Sequence, residues 1–215
     1  GGKIISLIKS VCESALSCDE ARIIEVIVCD HSSDSTPQIL ASFMAQQRYP
    51  MIRLVHHDER GGAASAWNEI FSLASGDIVV LFDADVLPLK DCISELVLCM
   101  DNNQIGLCAS NPICRNPNSS AARAASFISS WLESIRKRGV SQYTVMGRSL
   151  AIRADLATRI IIPKETIAID LYLQCRILEM DYDVIKKKKA KVYFTPPSTL
   201  RDFASQVLRS RNGHR

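Results

Sequence analysis

The chain has 215 residues, 47% apolar and 23% charged, with a formal net charge of +3. That is the composition of one globular α/β-sized domain, too apolar for a disordered chain and too weakly charged to mark a nucleic-acid partner. No apolar run reaches the roughly 18 residues of a membrane-spanning helix and no signal-peptide zones open the sequence, so a soluble, cytosolic chain is expected.

The predicted elements alternate. Ile4, Ile8, Val11 and Ala15 recur at helical spacing over residues 4–17, and IIEVIVCD at 23–30 is dense in β-branched residues, which predicts a buried strand. Thr36-Pro37 marks a helix start running to Gln47, and MIRLVHH at 51–57 follows as a strand. A Gly-opened helix, GGAASAWNEIFSLAS, leads into a third strand, DIVVLFDA. Beyond it the patterns predict a helix over 89–103, a strand over 105–110 and a Pro-, Asn- and Ser-rich loop over 111–120. A helix over 126–137, a strand over 149–153, a helix over 169–180, a strand over 184–194 and a terminal helix over 200–211 complete the order. Helices and strands in this alternation predict an α/β fold with a mostly parallel sheet flanked by helices. Trp67 and Trp131 sit in helical patterns and are expected in the core. The eight cysteines (12, 18, 29, 92, 99, 108, 114, 175) contain no C-x-x-C pair and fall mostly in apolar segments, so they read as buried reduced thiols without a zinc or redox task.

Ligand sites of α/β sheets lie outside the carboxyl ends of the strands, and three such ends carry polar clusters. The first is Asp30-His31-Ser32-Ser33-Asp34, the second His56-His57-Asp58-Glu59-Arg60-Gly61-Gly62, the third Asp83-Ala84-Asp85. Asp83 and Asp85 offer hard carboxylate oxygens to a divalent cation that keeps positions open for phosphates; turn chemistry at a strand end is the simpler alternative. Asp30 suits a hydrogen bond from a base or sugar, while Asp34 and Thr36 suit helix capping. Arg60, beside two glycines, suits a phosphate or a stacked base, or only a loop. His56 and His57 alternate faces, which makes them poor joint ligands and predicts solvated loop histidines.

IIEVIVCDHSSDST, RGGAASAWN and GDIVVLFDADVLP together resemble the nucleotide-sugar half of the family 2 glycosyltransferases, which have the GT-A fold. The resemblance continues through VMGRSLAIRADL, through IAIDLYLQCRILEMDYDV with its place for a catalytic base, and through TPPSTLRDFASQVLRSRNGH, similar to the Q-x-x-R-W region of membrane-associated polysaccharide and lipid-linked sugar synthases. It implies one GT-A domain over 1–215, with residues 1–110 on the nucleotide-sugar side and 111–215 on the acceptor side.

By that resemblance Asp30, Ser32, Arg60, Asn68 and Asp83 bind the donor, and Asp85 with Asp83 holds Mg²⁺ or Mn²⁺. Asp170 is the catalytic base, and Gly147, Gln206, Arg209 and Arg211 face the acceptor or the diphosphate. The implied reaction is inverting transfer from a UDP-sugar to a saccharide or lipid-linked acceptor, at the cytoplasmic face of a membrane in a longer parent protein. Read from the residues alone, Asp170 instead favours a helix dipole, and the basic helix over 201–211 is a solvated face or a membrane-surface patch.

The chain departs from the family pattern at Cys29, where the first Asp of the Asp-rich turn stands, at Ile169, where a Glu precedes the base, and at Ser210, in place of the Trp. The family's first strand is also missing ahead of residues 4–17, which predicts unpaired backbone between IIEVIVCD and DIVVLFDA. Two other readings compete: a GT-A module that binds without catalysis, and a haloacid-dehalogenase-type phosphatase with Asp83 as nucleophile and Asp85 as acid.

Overall fold

Gly2–Leu16 forms helix α1, and its buried Leu7, Ile8, Cys12 and Ala15 recur at the spacing that puts side chains on one face. The computed structural model describes residues 2–19, 21–46, 51–59, 61–115, 119–135, 148–197 and 199–213. Strand β1 (Val26–Asp30) crosses through helix α2 (Thr36–Met44) to strand β2 (Ile52–His56). The two strands pair in parallel, with Val26 opposite Ile52 and Asp30 opposite His56, so both end at one level. Thr36 opens α2 with Pro37 in its first turn, where a missing N–H costs nothing. Asp34 accepts the Thr36 N–H at 2.8 Å, and its hydrogen bonds with Thr36 hold the Asp34 carboxyl below the usual range.

Helix α3 (Gly62–Leu73) leads to strand β3 (Ile78–Phe82), followed by strand β4 (Val86–Pro88) and helix α4 (Cys92–Val97), which tightens into a 3₁₀ turn over Leu98–Asp101. Strand β5 (Ile105–Cys114), helix α5 (Ser120–Ile135), strand β6 (Ser149–Arg153) and the single turn α6 (Ala154–Ala157) follow. Helix α7 (Ile169–Glu179), strand β7 (Asp183–Phe194) and helix α8 (Leu200–Gly213) complete the described order.

Five strands form one sheet in the order β3-β6-β5-β7-β4. Its strands β5 and β7 pair in parallel, whereas β3–β6, β5–β6 and β4–β7 are antiparallel. The sheet is therefore mixed rather than mostly parallel. Hydrophobic alternation marks a strand but not its direction, and β6 enters between β3 and β5 from the edge at which both of them end.

The alternation divides the core into two layers. Leu107, Ala109, Leu150 and Ile152 meet Trp67 and Phe71 of α3 and Leu173 and Ile177 of α7 on one face. Cys108, Ala151 and Val192 meet Leu7 of α1 and Leu96 of α4 on the other. Trp67 is in the core as expected, but Trp131 is 55% exposed and Phe127 71% exposed on α5. A helical stripe shows which residues share a face, not whether another element covers it.

Strands β1 and β2 make a separate two-stranded sheet, and among the described residues β1 and β3 are not hydrogen-bonded to each other. The ties between the two sheets run through side chains. Ser75, after α3, donates its N–H and its Oγ to Glu25 Oε1 at 2.7 and 2.6 Å, and Gly76 sits against Ile24.

Candidate active site

The ends of β3, β5 and β7 and the starts of β6 and β4 meet at one edge of the sheet, because Phe82 lies opposite Ser149, Val86 opposite Phe194, and Cys114 beside Phe194. The Asp83-Ala84-Asp85 turn is held there. Asp83 N–H donates to Arg148 O at 3.0 Å, and Val86 N–H closes the turn on Asp83 O at 3.3 Å. The Asp85 side chain is 54% exposed and meets Arg148, whose Nη1 lies 3.2 Å from Oδ2. The Arg148 side chain is mostly buried and its guanidinium stacks over the Phe194 ring, 4.1 Å from its centroid. A cation thus already stands at Asp85. Two carboxylates on one exposed turn, one of them paired with a positive charge, are a donor set suited to Mg²⁺ or Mn²⁺.

Asp30 ends β1 with a side chain only 11% exposed. Its Oδ2 accepts from Ser32 Oγ at 3.0 Å and lies 2.8 Å from His56 Nδ1, while its backbone oxygen accepts the His57 N–H at 3.0 Å. The parallel register, which sets the last residues of β1 and β2 side by side, creates this contact. His56 and His57 do face opposite ways, but each meets a carboxylate: His57 Nε2 lies 2.8 Å from Glu69 Oε1. Both rings contact carboxylates rather than only solvent.

The sequence model of glycosyl transferase family 2 matches residues 3–155. The chain belongs to that family. Its fold agrees: a mannosyltransferase of Pyrobaculum calidifontis, solved with GDP-Man and Mn²⁺, superposes with a TM-score of 0.74 at 23% identity, over 97% of this chain and 57% of that one. TarS of S. aureus, solved with UDP-GlcNAc, gives 0.67 at 19% identity, over 94% and 57%. Among curated relatives, the β-monoglucosyldiacylglycerol synthase of Synechocystis sp. is 40% identical over 73 residues, which span 33% of this chain and 15% of that enzyme. The chain therefore matches only a small part of that relative's length. Family membership removes the phosphatase reading, in which the strand before Asp83 would open the domain; here it is the third.

The remaining expected family 2 positions fall in different places. Asp170 lies in the first turn of α7 and is half-buried. Asn68 turns its amide to a backbone: Nδ2 donates to Ile162 O at 2.8 Å and Oδ1 accepts the Ile162 N–H at 2.9 Å. Its hydrogen bonds strap α3 to the segment before α7, so the amide has a structural task. Arg60 and Gly147 lie outside the described residues, as do the side chains of Gln206, Arg209 and Arg211.

Three features escaped the sequence reading. Arg148 is 63 residues from Asp85, and only the β3–β6 register brings them together. The pairing of His56 with Asp30 required the β1–β2 register. The third is a cluster of Cys29, His31 and Glu69 below the end of β1, whose only sequence signal is that Cys29 stands where the family carries Asp.

Proposed function

We propose that this family 2 domain transfers a sugar, with inversion, from a nucleotide-sugar donor, UDP-linked in our reading, to a saccharide or lipid-linked acceptor. The observation that carries the proposal is the Asp83–Asp85 turn, exposed at the meeting of strand ends with Arg148 on Asp85. The nucleotide-sugar and Mn²⁺ in the mannosyltransferase, the UDP-GlcNAc in TarS and the lipid acceptor in the synthase's name support it.

In this reading Asp83 and Asp85 hold Mg²⁺ or Mn²⁺. When bound, that ion neutralises charge on the departing nucleoside diphosphate. Asp30 accepts a hydrogen bond from the nucleobase, its carboxylate oriented by Ser32 and His56. Arg148 leaves Asp85 for the diphosphate, to which a guanidinium fork donates two bonds. Asp170 removes the proton of the acceptor hydroxyl as its oxygen attacks the anomeric carbon from the side opposite the leaving group. Arg60 supports the donor, and Gly147, Gln206, Arg209 and Arg211 line the acceptor or diphosphate side.

No helix among the described residues is long and apolar enough to cross a membrane. Exposed Phe127 and Trp131 on α5 and Leu200 and Leu208 on α8, two helices that lie side by side, suit contact with the cytoplasmic face of a lipid surface. The deciding experiment is titration of UDP and GDP into the purified chain with Mn²⁺, with EDTA, and with Asp85→Ala. Metal-linked nucleotide binding that Asp85→Ala abolishes is expected. A folded chain that binds no nucleotide under any of these conditions would reject the transferase assignment.

A further inference from the structure

Cys29 and Asp30 are consecutive on β1 and point to opposite sides of it. Asp30 faces His56 and Ser32, whereas Cys29 faces α3. The Cys29 thiol donates to Glu69 Oε2 at 3.0 Å and lies 3.5 Å from His31 Nε2, which in turn lies 3.9 Å from Glu69 Oε2. His57 reaches the same carboxylate, its Nε2 2.8 and 3.0 Å from the two oxygens, and its ring stands edge-on to His31 with centroids 5.1 Å apart. We propose that Cys29, His31 and Glu69 form a three-residue zinc site, beside which His57 contacts the Glu69 carboxylate.

The geometry is close to that of a loaded site. Zinc bonds of about 2.0 to 2.3 Å in a tetrahedron hold neighbouring ligand atoms roughly 3.4 to 3.6 Å apart. The three separations of 3.0, 3.5 and 3.9 Å bracket that range and bring together ligand atoms from β1, the turn that follows it and α3. The chemistry also separates this cluster from Asp83 and Asp85: a thiolate with an imidazole and one carboxylate selects zinc, whereas carboxylates alone select harder ions.

In the structure the Cys29 thiol donates its proton to the Glu69 carboxylate in a hydrogen bond; zinc takes the place of that proton. The Gly61 N–H donates to His31 Nδ1 at 3.1 Å, which leaves the imidazole proton on Nε2, facing Cys29. Loading therefore moves that proton to Nδ1 and releases the Gly61 amide at the entrance to α3.

A structural need exists at this place. Strands β1 and β2 are not hydrogen-bonded to the five-stranded sheet among the described residues, while α3 buries Trp67 and Phe71 against that sheet. A metal shared by β1 and α3 pins one sheet to the other. The proposal is independent of the sugar-transfer reading.

The test uses the full 215-residue chain. After gel filtration, zinc is measured by elemental mass spectrometry; the stripped protein is then titrated with Co²⁺ and followed by absorption. One zinc per chain is expected, with a thiolate-to-cobalt charge-transfer band and intense visible bands of tetrahedral cobalt. Cys29→Ser should abolish the charge-transfer band, and Glu69→Gln and His31→Gln should weaken zinc binding by more than the roughly 10- to 100-fold that loss of an outer-shell partner costs. Cys175→Ser and Asp85→Ala should leave the band unchanged. If the folded wild-type chain takes up no stoichiometric zinc, or its cobalt spectrum lacks the charge-transfer band, the site does not exist; that reading needs no variant to fold. A band that survives in Cys29→Ser overturns the ligand assignment equally.

Discussion

Arg148 and Asp85 form an ion pair of 3.2 Å at the edge where β3 ends and β6 begins, with the guanidinium resting on Phe194. The stack and the mostly buried stem fix the arginine, while the aspartate is exposed and able to turn. Under the proposed function, an arginine so placed would compete with a metal for Asp85 before the donor binds and meet the diphosphate afterwards.

Two opposite effects of Arg148→Ala follow from that dual role. Mn²⁺ alone should bind more tightly, because its competitor is gone. UDP with Mn²⁺ should bind about 10- to 100-fold more weakly, the equivalent of losing charge-assisted hydrogen bonds worth roughly 1.5 to 3 kcal/mol. Arg148→Lys restores the charge but not the fork or the stack, and should recover only part of the loss. Calorimetric titration separates the two affinities; a variant in which both fall together would mean that Arg148 only supports the turn.

Asp170→Asn tests the assignment of the base. A carboxamide keeps the size and the place in the first turn of α7 but accepts no proton. The expected result is a kcat lowered by about 100- to 10,000-fold with UDP affinity unchanged. Transfer within tenfold of wild type would return Asp170 to the role of a residue favouring the helix dipole.

What the sequence made legible was local. The β-formers of Ile78–Phe82 followed by two carboxylates identified the strand and its turn, and the boundaries of β6 were read without error at Ser149–Arg153. What it hid was pairing across distance. Nothing near Asp85 points to Arg148, nothing near Asp30 points to His56, and nothing near Asn68 points to Ile162, which its amide holds. Cys29 read as a buried thiol because a ligand set drawn from β1, its following turn and α3 has no spacing signature. The loop expected over 111–120 proved to be strand as far as Cys114, since β7 supplies its hydrogen bonds and overrides the local Asn and Pro.

Asn68 gives a stability prediction. Its two hydrogen bonds satisfy the backbone N–H and C=O of Ile162, whose side chain is fully buried. Asn68→Ala should destabilise the fold by about 2 to 3 kcal/mol, because two backbone groups lose their partners. Asn68→Asp should be similarly harmful, since a carboxylate oxygen would then face Ile162 O. Urea unfolding measures both, and a loss below about 0.5 kcal/mol would show that water replaces the strap.

The Glu25–Ser75 contact links the approach to β1 with the loop after α3, and it carries a pH signature. Hydrogen bonds from the Ser75 side chain and backbone hold the Glu25 carboxyl below its ordinary value of 4.5. A carboxyl with a lowered folded-state pKa contributes stability that is fully present above the unfolded value and is lost as pH falls through the folded one. The contribution should therefore persist at neutral pH and fade below about 4.5. Ser75→Ala removes the 2.6 Å bond but keeps the backbone donor at 2.7 Å, and should cost about 0.5 to 1 kcal/mol at neutral pH. Glu25→Gln removes the titrating group itself. The measurement is the difference in urea-unfolding free energy between pH of about 7 and about 3.5, which should be smaller in Glu25→Gln than in wild type, with Ser75→Ala between them. Equal differences in all three proteins would mean that the contact does not persist in solution, leaving the Glu69 contacts with Cys29 and His57 and packing to join the two sheets.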